Sequence, residues 1–236
     1  MRIDDTGFDD HFRRCPTPVS YVPTAGASFI VRNRIWQKSA RSRYDEPPRN
    51  RRSSPSVMFD RQPTLTGKLL RLRPLVAADH DGLYRVAADP LIWAQHPDPS
   101  RSQPAGFKVF FDKALESGGA LVAIGQTEQQ IIGTSRYHRV TSNDVMVGYT
   151  FLARAYWGGR YNGEMKCLMI DHAFRFVPTV TFRVGENNLR SRRAVEKLGA
   201  AYEGLEPQPE WGQFHAIYRL SRTVWQQRSG TAQSQA

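Results

Sequence analysis

Phe151-Leu152-Ala153-Arg154-Ala155-Tyr156-Trp157-Gly158-Gly159-Arg160-Tyr161-Asn162-Gly163-Glu164 is the stretch on which the fold turns. A strand-like apolar run enters it, three glycines make a turn, and the turn opens directly into a helix. The first backbone N–H groups of a helix lack internal partners, and its dipole adds partial positive charge there, so such an end suits a diphosphate. Glycines let the backbone approach the anion closely. An isolated glycine pair would be read only as a tight turn. Here the setting argues for more, because the helix is built to pack on a sheet and its N-terminus is therefore rigidly placed.

That helix is expected from Gly163 to about Phe176. It is apolar at Met165, Leu168, Met169, Ala173, Phe176 and Val177, while Glu164, Cys167, Asp171 and Arg175 follow one narrow stripe. Working outward, strands are expected at 68–73, 120–124, 130–137, 145–152, 180–184, 202–205 and 214–220. Helices are expected at about 77–88, at 104–116 with Pro104 at its start and Gly118-Gly119 beyond its end, and at 189–198 closed by Gly199. Short turns between the strands from 120 to 152 favour an antiparallel meander. The sum is an α/β (α+β) domain with a mixed, mostly antiparallel central sheet of about six or seven strands and about four helices.

A second informative stretch lies downstream: Val184-Gly185-Glu186-Asn187-Asn188-Leu189-Arg190-Ser191-Arg192-Arg193-Ala194-Val195-Glu196-Lys197-Leu198-Gly199. Taken alone, Asn188 is a good helix N-cap with Ser191 in the first turn. Together the two stretches resemble the Gcn5-related N-acetyltransferase (GNAT) family, over residues 64–223. The likeness is to its ribosomal-protein alanine acetyltransferase type, whose loop reads Trp-Gly-x-Gly-Tyr-x-x-Glu and whose later motif reads Asn-x-x-Ser before a Glu-Lys-x-Gly helix end. The chain departs from that loop at Arg160, where the pattern has glycine, and at Asn162.

The resemblance implies a GNAT fold and acetyl-CoA as cosubstrate, held by Phe151, Leu152, Trp157, Gly158, Gly159, Arg160, Tyr161, Asn162, Gly163, Asn188 and Ser191. It also implies direct attack of a primary amine, on a small molecule or a protein N-terminus, at the thioester. Backbone amides around Val147 to Leu152 would hold the thioester carbonyl. The glutamate base of many relatives falls at Met146, and their tyrosine acid at Val195. Ser191 is then the expected donor to the leaving thiolate, with Tyr149 or His138 acting through water. Glu164 is expected to support the helix start rather than act as base. The alternative is a degenerate domain that binds CoA or a protein without turnover. For the acceptor pocket the resemblance points to Trp93, His96, Trp211 and Phe214, with Glu203, Glu206 and Glu210 either attracting a cationic amine or facing solvent.

The chain has 236 residues, 33 Lys and Arg against 22 Asp and Glu, and a formal charge of +11, a balance that suits an acidic partner or a phosphorylated cofactor. Residues 1–63 carry no sustained period and are rich in Arg, Ser and Pro, as in Pro47-Pro48-Arg49-Asn50-Arg51-Arg52. They read as a disordered leader that cannot offset an ordering cost of ~1–2 kcal/mol per residue. Met58 is an alternative start, and nucleic acid is not the expected partner of the leader. Residues 224–236 read as a tail. Two distant cysteines, Cys15 and Cys167, argue against a disulfide framework. No Cys/His cluster has metal spacing, and no secretory signal or membrane span is legible. The expectation is a cytoplasmic monomer or homodimer without a metal.

Overall fold

The computed structural model describes Tyr21–Val22 and residues 58–209 and 212–230. Among them, nine strands form one sheet in the order β1-β2-β3-β4-β5-β6-β7-β9-β8. Two are short, β1 (Tyr21–Val22) and β2 (Thr64–Thr66). The longer seven are β3 (Leu70–Pro74), β4 (Ala120–Gly125), β5 (Ile131–His138), β6 (Asp144–Leu152), β7 (Thr179–Gly185), β8 (Ala201–Gln208) and β9 (Gln213–Ser221). Strands β1 to β6 are an antiparallel meander, as the short turns require. Strand β9 lies antiparallel between β7 and β8. The mixed, mostly antiparallel sheet expected from the sequence is therefore present.

Five α-helices cover it: α1 (His80–Ala87), α2 (Pro104–Glu116), α3 (Arg160–Ala173), α4 (Leu189–Lys197) and α5 (Arg222–Gly230). One face of the sheet packs on α1 and α2 through Leu83, Phe107, Phe110 and Phe111. The other packs on α3 through Met165, Leu168, Met169 and Ile170. Each such fully buried side chain contributes about 1.5–3 kcal/mol. Arg73 at the end of β3 grips Asp79 with two hydrogen bonds of 2.7 Å, and Asp79 also accepts from the Val76 N–H at 2.9 Å, which fixes the entry to α1.

Four sequence expectations are corrected. Helix α3 begins at Arg160, three residues before the expected Gly163, because Gly159 takes the N-cap with φ 125° and the Gly163 N–H already bonds the Gly159 carbonyl. The ordered body begins before residue 64: Phe59 packs against Tyr137, His172 and Phe176, and the short β1 pairs with β2. The rest of the expected leader and the tip of the tail lie outside the described residues. Residues 224–230 belong to α5, held by buried Trp225, whose Nε1 donates to Asp171 Oδ1 at 2.6 Å. Finally, Cys167 is disulfide-bonded. No helix among the described residues is long and apolar enough to cross a membrane, and no group of His, Cys, Asp or Glu among them is arranged to hold a metal ion.

Candidate active site where two strands part

Strands β6 and β7 run parallel, but they pair only over Asp144 to Met146 against Thr179 to Thr181. Thr181 Oγ1 donates to the Asp144 carboxylate at 2.9 Å, tying the strands where the pairing begins. Beyond Met146 they diverge. The register of β5 on β6 also shifts between Thr134 and Arg136, and Tyr149 opposite takes φ 52°. A bulge of this kind bends its strand and re-aims its side chains. From Val147 onward the edge of β6 facing β7 has no strand partner, so its backbone groups are open to a ligand.

The divergence opens a cavity of about 560 Å³. One wall is β6 from Val147 to Leu152, with Trp157, Gly158, Gly159 and Asn162 at one end. The opposite wall is β7 from Phe182 to Gly185 and the start of α4, including Asn188 and Ser191. Of the eleven expected cofactor residues, Phe151, Leu152, Trp157, Gly158, Gly159, Asn162, Asn188 and Ser191 thus share one cavity. Arg160 is exposed, Tyr161 half-buried and Gly163 buried in the first turn of α3, outside the cavity lining.

The glycine turn is compatible with a diphosphate. Gly158 has φ 96°, and a Cβ there would meet nothing within 4 Å, so open space lies over it. The Arg160, Tyr161 and Asn162 N–H groups precede the first intrahelical bond, made by Gly163. The turn is braced from several sides. Trp157 Nε1 donates to the Leu152 carbonyl at 2.9 Å, and Tyr161 meets Tyr156 edge-on at 4.8 Å. Glu164 accepts from the Leu69 and Leu70 N–H groups at 2.7 and 3.0 Å, the supporting role expected of it. Across the cavity Asn188 caps α4 by accepting from the Ser191 N–H at 3.2 Å.

The cavity is also lined by Trp93, His96, Arg101, Tyr149, Arg183 and His215. Of the residues expected at the acceptor pocket, Trp93 and His96 line this cavity; Phe214 is exposed and outside the lining, and Trp211 and Glu210 lie outside the described residues. Tyr149 carries the Arg136 guanidinium 4.2 Å from its ring centre. His138 meets Tyr149 edge-on at 5.0 Å but does not line the cavity. Burial, reinforced by neighbouring arginines, holds His96 and His138 down to about 4 and lowers His215 below the ordinary histidine range. All three are neutral near pH 7. Glu203 and Glu206 pair with Arg219 and Arg183, so the acidic stretch is largely neutralised and does not mark a cation site.

Three groups of this cavity escaped the sequence reading. His215 reaches it because β9 pairs with β7 in a register that sets His215 opposite Gly185. Its Nδ1 is 3.1 Å from Gln208 Oε1, an acceptor, so Nδ1 carries the proton and Nε2 keeps a lone pair. Lys166, 6% exposed, lies under the cavity and donates to Thr150 Oγ1 at 2.6 Å; burial pulls it down to about 7. Arg101 arrives on a short helical turn, Pro99–Ser102, whose sequence gives no periodic signal.

Comparison with known proteins agrees with this fold. The acetyltransferase (GNAT) domain family matches residues 70–201. No curated protein matches the sequence. Among solved structures, a GCN5-related N-acetyltransferase from Brucella melitensis superposes with a TM-score of 0.64 at 19% identity, over 76% of this chain and 86% of that one. Ribosomal-protein-S5-alanine acetyltransferase from Vibrio fischeri gives 0.53 at 18% identity, over 69% and 98%. Mycobacterium smegmatis RimJ, in complex with CoA-disulfide, gives 0.54 at 16% identity, over 70% and 89%.

Proposed function

Because the chain belongs to the acetyltransferase (GNAT) domain family, we propose that it is an acetyl-CoA-dependent N-acetyltransferase that acts by direct attack of a primary amine, on a small molecule or a protein N-terminus. The observation that carries this reading is the parting of β6 from β7 beyond Met146, which joins an unpaired strand edge to the glycine turn at the start of α3. In this reading the N–H groups of Arg160, Tyr161 and Asn162 take the diphosphate, with Gly158 and Gly159 allowing its approach. Asn188 and Ser191 border the pantetheine arm from α4, and the open edge of β6 near Phe151 and Leu152 polarises the thioester carbonyl. A likeness to the ribosomal-protein alanine type is part of the proposal and rests on the Trp157 to Glu164 loop.

His215 Nε2 is the base. It takes a proton from the amine as the C–N bond forms, and the C–S bond then breaks to release the thiolate. Ser191 relays a proton from solvent water to the thiolate, regaining one as it gives one, and His215 returns its proton to solvent, so the products are the amide and the free thiol. Tyr149, held against Arg136, positions the acceptor at the bulge of β6. The reaction needs no metal, and the protein acts chiefly by orienting two bound partners.

The test is release of free CoA thiol from acetyl-CoA with a panel of primary amines, using the full chain. Amine-dependent release that falls at least ~100-fold in His215→Ala is the expected result. Tight acetyl-CoA binding with no amine-dependent release across the panel would contradict the reading and leave a CoA-binding domain without turnover.

A further inference from the structure

The acceptor end of the cavity is cationic, and two of its donors face each other with no acceptor between them. His96 Nδ1 accepts from the Asp98 N–H at 2.9 Å, so the single proton of the neutral ring is on Nε2. That Nε2–H stands 3.2 Å from Arg101 Nη1, which is also a donor. Two N–H groups this close repel unless an anionic oxygen accepts from both. Arg101 cannot turn away easily, because its Nε is bonded to Asp98 Oδ2 at 3.0 Å and its guanidinium stacks 5.0 Å from the Phe110 ring centre.

The charge balance points the same way. Arg101 is matched by Asp98, and Arg183 by Glu206 at 3.0 Å. Arg136, 6% exposed and stacked on Tyr149, is in ion-pair reach of no carboxylate among the described residues, and its buried Nε has no hydrogen-bond partner. Arg136 does not itself line the cavity, but it stacks on Tyr149, which does, so a positive charge without a counter-ion is buried behind this wall, at a cost that a nearby bound anion would lessen. Burial is the main cause of the lowering of His96, His138 and His215, and neighbouring arginines add to it in each case. In the acetyl-transfer reading the diphosphate is assigned to Gly158 and Gly159, which leaves the His96 and Arg101 donors to a second anion.

We propose that the acceptor is a small amine that also carries a carboxylate, an amino acid or a close analogue, with the carboxylate bound between Arg101 Nη1 and His96 Nε2. This rests on the acetyl-transfer reading above and narrows its acceptor. The amine then lies toward His215 and the thioester, and the field disfavours polyamines, which would bring further positive charge.

The experiment compares the common L-amino acids with their α-carboxamides, and with spermidine and a C-terminally amidated peptide. Two readouts are used: thiol release with acetyl-CoA, and the melting temperature of the full chain already saturated with CoA. At least one acid is expected to beat its carboxamide by tenfold or more in kcat/KM and to raise the melting temperature where the carboxamide does not. Arg101→Gln should reduce that preference to under twofold. Should Arg101→Gln fail to fold, His96→Phe removes the other donor and is expected to do the same. Carboxamides, spermidine or the amidated peptide performing as well as every acid would overturn the proposal, as would no acid binding at all. Acetyl-CoA binding, measured alongside, separates this failure from failure of the acetyl-transfer reading.

Discussion

The Arg190 guanidinium lies 3.8 Å from the centre of the Trp157 ring, so the first turn of α4 is clasped to the loop that opens α3. Its Nη2 also donates to the Ile92 carbonyl at 3.2 Å. One side chain therefore joins both sequence motifs and the acceptor loop across the mouth of the cleft. A cation over an indole is worth about 0.5–2 kcal/mol. Arg190→Ala should lower unfolding free energy by about 1 kcal/mol in urea titrations, with Arg190→Lys recovering part of it.

Gly159 tests the glycine turn. At φ 125° an alanine is strained, so the substitution would shift the backbone that presents the first N–H groups of α3. Gly159→Ala should weaken acetyl-CoA binding by about tenfold or more in titration calorimetry, roughly 1.4 kcal/mol per tenfold.

Glu164 tests the brace under that turn. Glu164→Ala strands the Leu69 and Leu70 N–H groups that it accepts from, at about 1–3 kcal/mol for each orphaned donor. A loss of about 2–4 kcal/mol in denaturant unfolding is expected. Glu164→Gln keeps an acceptor and should lose less.

Lys166 gives a pH signature. Its folded value is pulled down to about 7 by burial, while the unfolded chain holds the proton to about 10.4. Above pH ~7 the unfolded state therefore binds more protons, and stability from this group rises with pH across that window. Below the window the buried charge is a full penalty. Lys166→Met should stabilise the protein by an amount on the order of 1 kcal/mol at pH 6 and by less at pH 9, measured by urea unfolding at both values.

The legible parts of the molecule were those with local signals. The glycine turn, the Asn188 cap and the seven longer strands are written in punctuation and period, and the structure brings Trp157, Gly158, Gly159, Asn188 and Ser191 to one cavity. What was not legible depends on register and distant packing. Lys166 sits in an apolar helix and looks like any helical lysine; only the parting of β6 and β7 puts it under a cavity. His215 depends on β9 inserting between β7 and β8, a long-range pairing with no local mark. Helix α5 reads as tail in the sequence because its short polar run gives no apolar stripe; its anchors are distant, Trp225 on Asp171, Arg222 on the Val177 carbonyl and Arg228 on the Lys197 carbonyl. Glu164 and Asp171 on the α3 stripe are likewise occupied by partners far along the chain.

The central claim is that the cleft between β6 and β7 holds acetyl-CoA, and thermal unfolding of the full chain with and without the ligand tests it most directly. At one hundred times its dissociation constant a ligand of the native state adds about 2.7 kcal/mol. For a chain of this size that corresponds to a rise in Tm of about 5–10 °C. The account predicts that rise with acetyl-CoA and a clearly smaller one at the same concentration in Gly159→Ala. No shift at saturating acetyl-CoA, or an equal shift in both proteins, would contradict it.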